Sequence, residues 1–174
     1  MEKPRVMIIM GSDSDLPQMA AADAVLRELG VETKVHVSSA HRTPEKTHTL
    51  VEEGEHNGVE VFIAAAGGAA HLAGVVAATT NLPVIGVPIT TQMMGGLDSL
   101  LSTVQMPPGI PVATVAIGGA KNAGVLAAQI LSVKYPFLKD KLADFRKEMA
   151  EGVQKKDRQL QEIGIVRYLD EKKK

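Results

Sequence analysis

The chain alternates between short, solidly apolar runs and longer stretches in which apolar residues recur every three or four positions. Arg5-Val6-Met7-Ile8-Ile9-Met10 is the first short run, ended by Gly11, and it reads as a buried parallel strand. Leu16, Met19, Ala22, Leu26 and Leu29 then keep helical spacing until Gly30 stops it. Residues 33–37 predict a second strand, and a helix opening at Pro44, with Thr43 as its cap, reaches about Asn57-Gly58. Further strands are expected over 59–66, 83–87 and 112–117. Further helices are expected over 70–80, 97–104 and 122–134, and from Pro136 a highly charged helix runs towards the C-terminus.

Strand and helix thus alternate five times over, which implies a parallel sheet with helices on both faces. Ligands of such sheets bind outside the carboxyl ends of the strands. Every loop rich in glycine or serine falls at such an end. There is no internal repeat and no low-complexity tract. The segment 1–135 reads as the α/β body, and 136–174 as a charged helix and tail belonging to the same domain or oligomer.

Composition narrows the function by exclusion. The chain has 174 residues, 45% hydrophobic and 22% charged, with a formal net charge of -1. A duplex binder needs a basic face, and three Phe, two Tyr and no Trp leave few stacking platforms, so nucleic acid is not an expected partner. Cysteine is absent, which removes disulfides, thiolate metal sites and cysteine nucleophiles. No apolar run reaches membrane-spanning length and no signal peptide opens the chain, so the expected compartment is the cytoplasm and no membrane partner is expected.

Charge distribution says more than its sum. From Val61 to Ala120 the only Asp, Glu, Lys or Arg is Asp98, whereas the stretch from Lys139 onward holds nearly half of the chain's charges. A buried sheet with glycine-rich loops accounts for part of this pattern. The rest points to a homo-oligomer, because subunit interfaces are depleted in charge at their centre.

Three loops carry candidate chemistry. Ser38-Ser39-Ala40-His41-Arg42-Thr43-Pro44 follows a strand and enters a helix. It sets a base that titrates near neutrality beside a planar cation suited to phosphate or carboxylate. His41 is the candidate base and Arg42 the candidate anchor; His36, His48 and His56 read as surface positions. Gly11-Ser12-Asp13-Ser14-Asp15 offers serine hydroxyls and backbone N–H groups to a phosphate, with Asp15 suited to accept from ribose hydroxyls; taken alone, such a cluster before a helix is more often just a cap. Ala66-Gly67-Gly68-Ala69-Ala70-His71-Leu72 exposes backbone N–H groups to a carboxylate or oxyanion, or else packs a helix tightly on a strand. No GxxxxGK[ST] loop, HExxH or paired-carboxylate constellation appears, so neither ATP hydrolysis nor a catalytic metal is indicated.

Met10-Gly11-Ser12 to Asp15, Ser39 to Pro44, Gly67 to Leu72 and Val104-Gln105-Met106-Pro107 together resemble the PurE family of purine biosynthesis, over about Arg5 to Leu131. Gly-Gly-Ala-Ala-His-Leu at 67–72 and Arg42 after the loop His are similar to the class I mutase rather than the class II carboxylase. The resemblance implies a flavodoxin-like three-layer sandwich, with the five-stranded parallel sheet and an extended C-terminal helix. It also implies a homo-octamer and a reaction without metal or organic cofactor. The implied reaction converts N5-carboxyaminoimidazole ribonucleotide to 4-carboxyaminoimidazole ribonucleotide. His41 becomes the general acid/base. Ser12, Ser14, Asp15, Ser39, Ala40, Arg42 and the run Gly67, Gly68, Ala69, Ala70, His71 and Leu72 become the substrate-binding set. A transient contact with the enzyme that supplies the unstable carbamate is a further expectation. Ala65 and Ala73 depart from the Gly and Pro of many relatives. Two alternatives remain open: the class II reaction with aminoimidazole ribonucleotide and CO2, and a non-catalytic nucleotide-binding module.

Overall fold

The computed structural model describes residues 3–172. Residues 1–2 of the expected 1–135 segment and residues 173–174 of the expected 136–174 segment lie outside the described residues. Strands β1 (Arg5–Met10), β2 (Glu32–Val37), β3 (Val61–Ala66), β4 (Val84–Pro88) and β5 (Ala113–Thr114) form one parallel sheet in the order β2-β1-β3-β4-β5. Helices α1 (Leu16–Glu28), α2 (Pro44–His56), α3 (Leu72–Thr79), α4 (Leu97–Val104), α5 (Ala120–Leu131) and α6 (Phe137–Glu171) connect and follow the strands. This is the flavodoxin-like arrangement, whose strand order reverses between β1 and β3 and leaves a crevice there.

The three central strands are apolar on both faces because both faces are covered. Val6, Ile8 and Met10 of β1, with Val61, Ile63 and Ala65 of β3, pack against Met19, Ala22, Val25 and Leu26 of α1, against α5, and against Leu138 and Leu142 of α6. The alternate residues Met7, Ile9, Phe62 and Ala64 pack against Val51 of α2 and Leu72, Ala73 and Val76 of α3. Period-two alternation therefore assigns each side chain to one of two cores, giving three layers. Helices α1 and α5 approach closely: a Cβ placed on Gly124 would lie 2.5 Å from Val25 Cγ1.

Several boundaries differ from the sequence expectation. The last strand was expected over 112–117 but only Ala113 and Thr114 pair in register with β4, after Pro111, which has no N–H to give; Val115 N and Gly118 N still reach Gly86 O and Pro88 O, outside a regular ladder. β3 starts at Val61 rather than Val59, and α5 runs Ala120–Leu131 rather than 122–134. α3 begins at Leu72 rather than Ala70, because Ala70 and His71 form a tight turn with N–H bonds to Gly68 O and Ala69 O. The expected long charged helix is broken at Gly164, where φ is 75° and ψ 163°. Gln159 Nε2 donates to Glu171 Oε2 at 3.0 Å, so the segment after Gly164 folds back beside the segment before it. No described helix is long and apolar enough to cross a membrane.

Candidate active site

A cavity of about 460 Å³ opens at the carboxyl ends of β1 to β4. The loop after β1 contributes Gly11, Ser12, Ser14 and Asp15, and the loop after β2 contributes Ser39, Ala40, His41 and Arg42. From the β3 loop come Ala66, Gly67, Ala69 and Leu72, and from the β4 loop Ile89, Thr90 and Thr91. The three loops singled out in sequence therefore do converge. The fourth, Ile89-Thr90-Thr91, was missed there, although the rule that ligands sit outside the carboxyl ends of strands applies to β4 as much as to β1–β3.

The β1 loop is a cap and a wall at once. Ser12 caps a 3-10 turn over Asp13–Asp15: its hydroxyl accepts from Ser14 N at 3.3 Å, while Ser12 N donates to Asp15 Oδ2 at 3.1 Å. Ser14 Oγ donates to Ser12 Oγ at 2.9 Å and to Asp15 Oδ1 at 3.4 Å. Burial of Asp15, only 6% exposed, pushes its carboxyl above the usual value despite those bonds from Ser12 and Ser14. Gly11 N donates to Ala65 O at 3.0 Å and ties this loop to β3.

The β2 loop is held by its own hydroxyls. Thr43 sits at the cap position of α2, with Pro44 in its first turn, but makes no capping bond to that helix, contrary to expectation. Its hydroxyl turns back instead, accepting from Ser39 N at 2.9 Å and meeting buried Ser38 Oγ at 3.3 Å. Arg42 N donates to Ser39 Oγ at 3.2 Å. Arg42 Nη2 donates to Gly11 O at 3.2 Å, which bridges the first two loops and leaves the rest of the guanidinium fork open. His41 is exposed, and its Nε2 lies 3.0 Å from Nδ1 of His71, with the rings perpendicular. Of the histidines read as surface positions, exposed His48 pairs with Glu52 at 3.1 Å. His36 is half-buried, and desolvation together with Lys46 and Lys34 lowers its pKa.

The β3 loop presents fewer free donors than its sequence offers. Gly68 N donates to Ser99 Oγ at 2.9 Å, Ala70 N to Gly68 O and His71 N to Ala69 O. Among the described residues the N–H groups of Gly67 and Ala69 have no partner, and both residues line the cavity. Gly68, Ala70 and His71 do not line it; Ala70 is buried, and His71 reaches the site through His41. Gly68 has φ of +68°, so the turn needs glycine there.

No group of three or more His, Cys, Asp or Glu among the described residues could hold a metal ion. What the cavity assembles is an imidazole, a guanidinium, hydroxyl groups and backbone amides that have no partner among the described residues, those of Gly67 and Ala69 among them. The AIR carboxylase family profile matches residues 5–152. This chain belongs to the AIR carboxylase family. Its similarity to individual members is close. The N5-carboxyaminoimidazole ribonucleotide mutase of Pyrococcus horikoshii is 56% identical, over 98% of this chain and 96% of that protein. The protein of the same name from Thermotoga maritima is 53% identical, over 97% of this chain and 99% of its own length. The crystal structure of Treponema denticola PurE superposes with a TM-score of 0.83 at 29% identity, covering 91% of this chain and 99% of that one.

Proposed function

We propose that this member of the family is an N5-carboxyaminoimidazole ribonucleotide mutase, an isomerase of purine biosynthesis acting on a small ribonucleotide. The observation that carries the reading is the placement of His41 and Arg42 in the same cavity as the free amides of Gly67 and Ala69. Near-full-length similarity to proteins named for this reaction supports it.

The chemistry follows from the donors. Arg42 and the Ser12, Ser14 and Ser39 hydroxyls take the phosphate, with Asp15 on the ribose. As the carbamate C–N bond breaks, protonated His41 gives its proton to the exocyclic nitrogen and CO2 is released. CO2 is held against the amides of Gly67 and Ala69 until ring carbon 4 attacks it and the new C–C bond forms. Neutral His41 then removes the proton from carbon 4 and aromaticity returns. The proton balance closes, so one histidine serves both steps and no cofactor enters.

Free CO2 would escape into solvent, yet His41 is exposed in a single chain. The reading therefore includes a homo-octamer that covers the site. Helix α4 supports this, because it presents Leu97, Leu101 and Val104 to solvent at helical spacing within the charge-poor segment. Residues 1–135 form the catalytic body and 136–174 serve the assembly. The compartment is the cytoplasm, where a transient contact with the carbamate-supplying enzyme would spare an unstable substrate.

The test is a spectrophotometric assay with the carbamate substrate and no added bicarbonate. Conversion under those conditions supports the mutase. Product formed only from aminoimidazole ribonucleotide with bicarbonate would instead assign the carboxylase reaction, and ligand binding without turnover would assign a nucleotide-binding module. Native mass spectrometry checks the octamer.

A further inference from the structure

Ser99 lies on α4, outside the cavity, and is completely buried. A buried hydroxyl must be paired, and its partners here join two loops of the site. Ser99 Oγ donates to Ile89 O at 2.7 Å and accepts from Gly68 N at 2.9 Å. One turn on, Ser102 Oγ lies 3.2 Å from Gly68 O, with its other acceptor the Asp98 carbonyl at 2.8 Å. Both polar backbone groups of Gly68 are thus held by one helix, in the left-handed conformation that only glycine adopts without cost. Thr103, also buried, approaches Ala70 O at 3.4 Å and gives its stronger bond to Ser99 O.

The consequence lies in which amides stay free. Gly68 sits between Gly67 and Ala69, whose N–H groups both have no partner among the described residues. Capture of the middle N–H by Ser99 takes it out of competition and fixes the peptide planes on either side. We infer that Ser99, assisted by Ser102, is a positioning residue. It sets the Gly67 and Ala69 amides as the pair that retains the migrating carboxyl group between decarboxylation and recarboxylation. This role rests on the carboxylate-shift reading given above. It acts on the fate of CO2 rather than on binding of the ribonucleotide, because neither serine touches the cavity.

The measurement is a partition ratio. Wild type, Ser99→Ala, Ser99→Cys and Ser102→Ala are supplied with the carbamate substrate without bicarbonate. Decarboxylated aminoimidazole ribonucleotide and the carbon-carboxylated product are then quantified separately, against the uncatalysed decay. Ser99→Ala is expected to keep KM within about threefold while product formation falls roughly 10- to 100-fold, the scale of an ångström-level misplacement. The share ending as free amine rises, and added bicarbonate restores product in part. Ser99→Cys recovers some of the loss. Ser102→Ala, altered at a half-buried position that tolerates truncation, shifts the ratio the same way by less. A wild-type partition ratio in Ser102→Ala together with a wild-type ratio, or no soluble protein, in Ser99→Ala overturns the inference. So does a fall in product and carbamate consumption by the same factor with bicarbonate having no effect. Failure of the wild type itself to convert the carbamate would strike the parent reading, and is told apart by that control.

Discussion

His41 Nε2 and His71 Nδ1 meet at 3.0 Å across two loops, with the rings perpendicular and their centroids 5.1 Å apart. One proton can occupy that line, so one ring donates and the other accepts. His71 thereby holds the His41 ring from a position that does not line the cavity, and on the proposed reading it orients the proton carrier. His41→Asn is expected to bind substrate and lose about 10²–10⁴-fold in kcat. His71→Asn should lose less, mainly in kcat, because His41 remains but is no longer held. The two changes should combine to little more than His41→Asn alone, as expected of groups acting as a unit. Steady-state kinetics of the three variants decide it, and losses that multiply would mean independent roles.

Arg42 links the β1 and β2 loops through Gly11 O while keeping donors for an anion. A hydrogen bond to a charged group is worth about 1.5–3 kcal/mol, or roughly 10- to 100-fold. Arg42→Ala should raise KM by about that factor with kcat changed only a few-fold. Arg42→Lys should recover part of the loss, since charge returns without the planar fork. A variant that loses kcat and keeps KM would assign Arg42 to the chemistry instead.

Asp15 yields a pH prediction with a definite sign. Burial raises its folded pKa above the ordinary 3.8, so the folded state binds the proton more readily than the unfolded chain does. The ionised carboxylate is therefore a cost to folding above that raised value, and the cost fades as pH falls towards 3.8. Asp15→Asn should gain stability relative to wild type at pH 7, with the gap shrinking in acid, while ribose recognition weakens. Thermal melts of both proteins at several pH values would show it; a pH-independent gap would contradict it.

Much of this was legible in the sequence, for physical reasons. β1 and β3 are short apolar runs closed by glycine, and such runs admit few other readings than strands covered on both faces. His41 and Arg42 could be placed because a strand and a helix with Pro44 in its first turn bracket them. The rest depended on contacts far apart in sequence. His71 as an orienter and Ser99 as an anchor rely on partners 30 and 31 residues away. Which amides of the Gly67–Ala70 loop stay free likewise depends in part on α4, whose Ser99 takes Gly68 N. β5 was over-read because only Ala113 and Thr114 hold the ladder register on β4; beyond them the chain stays at the sheet edge through isolated bonds, Val115 N to Gly86 O and Gly118 N to Pro88 O, without strand geometry. The break at Gly164 carried a signal, a lone glycine within a helical pattern, which could have been used.

Two glycines, one on each face of the sheet, separate packing from loop positioning. A Cβ on Gly124 would lie 2.5 Å from Val25 Cγ1 and 3.0 Å from Ala22 O, at the contact of α1 with α5. On Gly86 of β4 it would lie 2.5 Å from Thr103 Cγ2 and 2.9 Å from Val112 Cγ1, beneath α4. Either Gly→Ala change overpacks a close contact and should cost about 1–3 kcal/mol of stability, read as a lower Tm. Their effects on catalysis should differ. Gly124→Ala strains the α1/α5 contact, which no cavity hydroxyl depends on, so its partition between carboxylated product and free amine should match wild type. Gly86→Ala pushes α4 away from the sheet and with it the hydroxyls of Ser99 and Ser102 that hold Gly68. Its partition should shift towards free amine at a temperature where both variants are folded. Equal partition in the two would mean that the loop keeps its shape without α4.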